Sequence, residues 1–236
     1  MGDCEMTNNV HLRVLLIATC ALLLGAAPPT NEATIALISK VILDVTRKEV
    51  GKDWQPAKRG ETLSSGERVK TGDKATAIIK FKDNSMLRVR EKTEVLLGGS
   101  QQGKSFSKST GVERGVIGFS IKKQQPGEEF RFSSPTSVAS IRGTSGQFGV
   151  ADSSDKLIVL DGLVRLTNKI SLQYVDVSGG FTGISGRDGK VRVRPSTPEE
   201  KLAAQLASRT GDRDSKLDIE LDNGSGNKKN IEIKFK

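Results

Sequence analysis

The chain predicts an all-β fold: a twisted stack of short antiparallel strands, in sandwich or solenoid form, with one C-terminal helix and a terminal hairpin. Three observations predict it. Apolar and polar residues alternate with period two, most clearly over 75–90. Turn signals such as KDNS (82–85), Pro126-Gly127 and Asp161-Gly162 recur at short intervals. Only one segment has apolar residues at helical spacing.

The first 30 residues stand apart. LRVLLIATCALLLGAA (12–27) is apolar with Arg13 at its front, and Val14 to Leu24 carry no charge. That length suits a secretory leader and is short of the ~20 apolar residues of a spanning helix. Asp3 and Glu5 are unusual ahead of such a run, and initiation at Met6 would give a better leader. Gly25, Ala26 and Ala27 suggest cleavage nearby, with the mature chain starting between residues 27 and 34. The chain is therefore expected to be exported, periplasmic or secreted. Membrane attachment would come only through an uncleaved leader or lipidation at Cys20, and bulky Thr19 fits poorly before a lipidated cysteine.

Strands follow in order from residue 34. TIALISKVILDV (34–45) reads as a half-buried first strand, and 51–75 as short strands joined by turns. In the hairpin at 75–90, Ala75, Ala77, Ile79 and Phe81 face one way, with Thr76, Ile78, Lys80 and Lys82 opposite. Leu87 and Val89 continue the apolar face, with Arg88 and Arg90 opposite. TEVLL (93–97) is a strand, and GGSQQGKSFSKSTG (98–111) reads as a mobile loop. Strands are expected at 115–123 and 128–134, then a hairpin about Asp161-Gly162 within 156–168, and strands at 171–180, 182–189 and 190–195. The β domain thus covers 34–195. Thr197-Pro198-Glu199-Glu200 has the capping threonine, first-turn proline and following glutamate of a helix start, and Leu202, Ala203, Leu206 and Ala207 fall on one face. The remainder of 196–236 alternates twice, Leu217-Ile219-Leu221 and Ile231-Ile233-Phe235, about DNGSGN. This is a hairpin with an acidic first strand and a basic second one.

Composition narrows the chemistry. With 35% hydrophobic and 28% charged residues, the 236-residue chain can bury a core and is not a disordered polymer. Its two cysteines, Cys4 and Cys20, and its single histidine, His11, all lie in the leader. The exported part would have no disulfide, Cys/His metal site, Ser-His-Asp triad or Cys-His dyad. No catalytic residue, metal ligand or cofactor is therefore assigned. Glu128 and Glu129 are adjacent on a strand and point to opposite faces, unlike a glycosidase pair.

A net charge of +9 favours anionic partners. Lys80, Lys82, Arg88 and Arg90 share one strand face, which is either solvated or a patch for an anionic polymer or acidic protein. Nucleic acid is disfavoured because aromatics make up only 4% of residues. Oligomeric state is not legible.

PTSVASIRGTSGQFGV (135–150) poses a choice between a phosphate cradle and a corner between strands. A phosphate loop needs a strand, glycine amides and a helix. Here Phe148 and Val150 continue at strand spacing, so Gly143 and Gly146 are read as corner residues. Arg142 either projects to solvent or partners or pairs with Asp161 or Glu128, and the pairing that locks the fold is the expectation.

KRGETLSSGERVKTGDKATAIIKFKDNSMLRV (58–89) and FRFSSPTSVASIRGTSGQFGVADSSDKLIVLDGLVRL (130–166) resemble the two halves of a FecR domain, with Arg142-Gly143-Thr144 and Phe148 as its signature. Ser145-Gly146-Gln147 lengthens the usual gap before the phenylalanine. The resemblance, over about 41–190, implies an all-β periplasmic domain. In signalling members, such a domain relays occupancy of an iron-siderophore transporter to a sigma factor. Those members carry a sizeable cytoplasmic segment, whereas this chain has 13 residues before its apolar run. A stand-alone exported domain that binds an envelope protein or anionic polymer is therefore expected. Signalling through a membrane partner is the alternative, and an envelope hydrolase is less favoured.

Overall fold

Strands with one apolar face become stable when two such faces close on each other. The computed structural model describes residues 34–102 and 105–208, plus the backbone of two strands at 215–222 and 228–235. It meets this requirement with two layers. Residues 1–33, where the leader is expected and where Cys4, His11 and Cys20 fall, lie outside the described residues.

The first layer runs β4 (Thr62–Ser64), β1 (Thr34–Ile42), β6 (Thr76–Phe81), β7 (Met86–Val89), the second half of β9 (Ser105–Ile121), β12 (Thr144–Val150), β13 (Ser154–Asp161), β16 (Phe181–Gly186) and β17 (Val191–Pro195). The second runs β3 (Gln55–Pro56), β2 (Val45–Lys48), β5 (Arg68–Thr71), β8 (Glu94–Gln102), the first half of β9, β10 (Phe130–Ser133), β11 (Ser137–Ile141), β14 (Leu163–Asn168) and β15 (Tyr174–Ser178). Pairing is antiparallel except between β9 and β10. Strand β9 bends at Gly115, whose φ is +95°, and so belongs to both layers. In each layer the spatial order nearly follows chain order. The chain thus advances along the sandwich as it crosses from one layer to the other, as a solenoid does.

Phenylalanines join the layers. Phe81 meets Phe130 at 5.0 Å between ring centroids, Phe119 meets Phe132 at 4.9 Å, and Phe132 stacks on Phe148 at 6.0 Å. All five are buried. Two polar ties add specificity. Lys108 of β9 is 4% exposed and pairs with Asp83, in the turn between β6 and β7, at 2.9 Å. Burial alone would raise the Asp83 carboxyl, but Lys108, the Ser85 amide and hydroxyl, and Gln124 outweigh it and hold the carboxyl below its ordinary range. Buried Asp155 of β13 accepts from the hydroxyls of Ser134 and Ser137 at the β10–β11 turn.

Three expectations need correction. Residues 98–102 and 105–111 are no loop: they form the end of β8 and the start of β9, paired from Gly98↔Ser109 to Gln102↔Ser105. Their small polar side chains hide the strand period, while their backbone hydrogen bonds need no apolar face. Asp161-Gly162 does not close a hairpin, because β13 pairs with β12 and β16 whereas β14 pairs with β11 and β15. It is a crossing between layers.

The helix α1 (Pro198–Ser208) is where the capping residues place it, with Glu200 N–H donating to Thr197 Oγ1 and Thr197 N–H to Glu200 Oε2. Its buried residues, however, are Ala204 and Ala207, while Leu202 and Leu206 are exposed. The outer face of the first layer explains the third correction. A row of cross-strand neighbours runs Arg88, Gly118, Gln147, Ile158, Thr182, Arg194. At Gly118 a Cβ would lie 1.9 Å from the Ala207 carbonyl oxygen. So close an approach admits alanine on the helix and glycine on the strand, and turns the leucines away.

Candidate functional site

The RGT signature sits where two crossings meet. Strand β11 leaves the second layer at Arg142-Gly143 and enters the first as β12, and β13 returns through Gly162. Both glycines have positive φ, +102° at Gly143 and +87° at Gly162, and a Cβ on Gly162 would lie 2.7 Å from the Gly143 carbonyl oxygen. Two tight corners back onto each other, which L side chains would prevent. Thr144 and Phe148 point inward and are buried. Gly143, Thr144 and Phe148 are therefore packing residues.

Arg142 differs. It is exposed, and among the described residues it has no ion pair with Asp161, Glu128 or any other carboxylate. It points into a cleft of about 570 Å³ on the outer face of the second layer, with Glu129, Ser140, Leu163, Arg165 and Asp176 in the walls. Strand register accounts for the grouping: Arg131↔Ser140, Ser140↔Arg165 and Arg165↔Asp176 are direct neighbours, and Arg142 follows Ser140 on the same face.

The carboxylates here are occupied. Asp176 accepts two hydrogen bonds from Arg165, at 2.8 and 3.0 Å, and that guanidinium lies 4.3 Å from the Tyr174 ring. Hydrogen bonding from Arg165 holds the Asp176 carboxyl below its ordinary range. Glu129 pairs with Arg131 at 2.5 Å. Its carboxyl is also lowered, first by that hydrogen bond, then by Ser140 and by the charges of Arg131 and Arg142 against a desolvation cost. Carboxyls so held are ionised at neutral pH and are poor proton donors. The site offers guanidinium groups, an exposed Leu163 and Tyr174, and no primed nucleophile. It is suited to recognising an anionic group. Among the described residues no three His, Cys, Asp or Glu side chains gather as a metal site would require.

A groove of about 410 Å³ shares Glu129 with the cleft and is also lined by Arg131, Gly98, Gly99, Ser107 and Ser109. Arg131 and Arg165 were legible as polar positions between core residues, in FRF and VRL. What joins them to Arg142 is register across strands.

The four basic residues of the 75–90 hairpin all lie on β6, β7 and their margins, on the outer face of the first layer. Lys82 is exposed, while Lys80 and Arg90 are half-buried. Arg88 is half-buried beside the end of α1, donating to the Leu206 carbonyl at 3.4 Å, and burial, then the charge of Arg90, lowers its pKa. A cation suits a helix C-terminus. The helix thus occupies one of the four.

Comparisons with known proteins agree with this architecture. The family model described as FecR protein matches residues 67–165. Two crystal structures of a candidate anti-sigma factor from Parabacteroides distasonis superpose with a TM-score of 0.50 each, at 12% and 13% identity. Each match covers 64% of this chain and 66% of that one, so this chain spans just under two thirds of its structural neighbours' length. No curated protein matches the chain. Among the described residues no helix is long and apolar enough to cross a membrane. The crossings, the phenylalanine stack and the RGT corner all fall within or beside the segment, residues 67–165, that is similar to the FecR family.

Proposed function

We propose that this chain is the non-enzymatic binding part of an envelope signalling system, and that it engages an acidic protein segment or anionic envelope component through the Arg142 cleft. The observation that carries the reading is Arg142 itself, exposed without an ion pair among the described residues, between carboxylates already committed to other arginines. An incoming carboxylate finds there a guanidinium that need not leave an existing partner. The FecR match and the description of the structural neighbours as candidate anti-sigma factors support a place in sigma-factor regulation. Export, which the leader suggests, would put the cleft in the envelope.

The second reading places the contact on Lys80, Lys82 and Arg90, and Lys82 is the exposed member of that set. Affinity capture from envelope extract, with Arg142→Glu and Lys82→Glu compared against the unaltered chain, separates the two. The cleft reading expects at least a tenfold loss of the captured partner for Arg142→Glu at unchanged thermal stability, and little change for Lys82→Glu. Loss for Lys82→Glu alone moves the site to the hairpin, and full capture by both variants refutes both readings.

A further inference from the structure

The first layer ends at β17, whose only strand partner among the described residues is β16. Its far edge offers backbone groups to another strand. Arg192 and Arg194 face the helix side, Val191 and Val193 the other, and Val193 is 44% exposed. Phe181 on the neighbouring strand is 39% exposed. Arg194 already forms a bidentate pair with Glu200, at 2.7 and 2.8 Å. Arg192 is exposed and has no ion pair among the described residues. Basic edge residues repel most edges, but they select a strand whose alternate residues are acidic.

Such a strand exists in this chain. Strands β18 (Ser215–Asp222) and β19 (Lys228–Phe235) pair with each other from Ser215↔Phe235 to Asp222↔Lys228, and among the described residues with nothing else. An isolated two-stranded hairpin is marginal in water and gains stability from a third strand. By sequence alternation β18 carries Asp218, Glu220 and Asp222 at one set of positions and Leu217, Ile219 and Leu221 at the other. This period matches that of β17, acidic positions against Arg192 and Arg194, aliphatic ones against Val191 and Val193.

We infer that β18 of one copy adds to the β17 edge of a second copy, so that the protein self-associates by strand exchange. Geometry favours a second copy over the same one. The helix C-terminus is held over β7 and β9 by Arg88 and Gly118, whereas β17 lies across β12, β13 and β16. Roughly four strand spacings of ~4.8 Å separate Gly118 from β17. The seven residue steps from Ser208 to Ser215 span at most about 24 Å. Folding back within one chain would use nearly all of that reach before the first pair formed.

Sedimentation velocity on the full chain tests this. The unaltered protein is expected to self-associate as concentration rises. Arg192→Glu alone, or Asp218→Lys with Glu220→Lys, should each weaken association at least tenfold while circular dichroism stays the same. Mixing the two variants should restore it, because each then presents the charge that the other's strand requires. A chain that stays monomeric overturns the inference. So does association indifferent to both variants, or a mixture that remains dissociated.

Discussion

Arg142, Gly143, Thr144 and Phe148 are four neighbours in sequence with different work to do. Glycine makes the crossing, threonine and phenylalanine turn into the core, and arginine is left at the surface beside Glu129. The glycine's task was readable, since strand spacing on both sides leaves only a corner between. Arginine's was not: whether a carboxylate waits for it depends on strands brought alongside by register, and the carboxylates that arrive are already held by Arg131 and Arg165. The most consequential residue pair at this scale escaped the sequence reading altogether. Lys108 lies in a stretch that reads as loop, yet it is buried against Asp83. Removing one partner of a buried pair strands the other charge. Lys108→Ala is therefore expected to cost about 3 kcal/mol in denaturant unfolding, while replacing exposed Lys82 by alanine should change stability by less than ~0.5 kcal/mol.

At the scale of elements, α1 shows how a local signal and a tertiary one divide the work. Its start is encoded by Thr197 and Glu200 within one turn. Its orientation is decided by Gly118, Ile158 and Thr182, which lie on three different strands. Glu200 serves both ends: it completes the cap, receives both nitrogens of Arg194, and accepts from Thr182. These contacts, with Arg194 the largest, hold its carboxyl at about 2 against a desolvation cost. A carboxyl lowered on folding stabilises the docked helix fully above its ordinary pKa of 4.5, and that contribution is lost as pH falls from 4.5 towards 2. Helix docking, followed by hydrogen exchange at Ala204 and Ala207, should accordingly loosen over that window. Glu200→Gln should show the loosened state already at pH 7. With Arg194 and Lys156 both over two-fifths exposed, solvent screens the pairs, and the expected loss is about 1–2 kcal/mol rather than the full equivalent of the shift. The hairpin of β8 and β9 teaches the reverse lesson. No local pattern of GGSQQGKSFSKSTG marks a strand, and pairing along the backbone makes it one.

Over the whole molecule the two layers share one core, and the phenylalanines are its continuous thread. Phe132 touches Phe119, Phe130 and Phe148, joining two strands of the first layer to the second. Phe132→Ala should lower unfolding stability by about 3–5 kcal/mol, whereas Phe181→Ala, at the exposed end, should cost far less. A shallow effect at Phe132 would mean that the layers are held independently of each other. By itself the sequence determined the strand period, the corner at Gly143, the helix cap and the FecR signature, whereas Gly146, also read as a corner, is paired on both sides in the middle of β12. Each of these depends on residues within a few positions of one another, where backbone geometry and alternation act. Only the tertiary structure decided which layer each strand joins, that Asp161-Gly162 crosses between layers, that α1 docks by alanines, and that Arg142 faces a cleft with no ion pair among the described residues. Those outcomes rest on neighbours across strands, and a single chain read along its length does not record which residues register will set side by side.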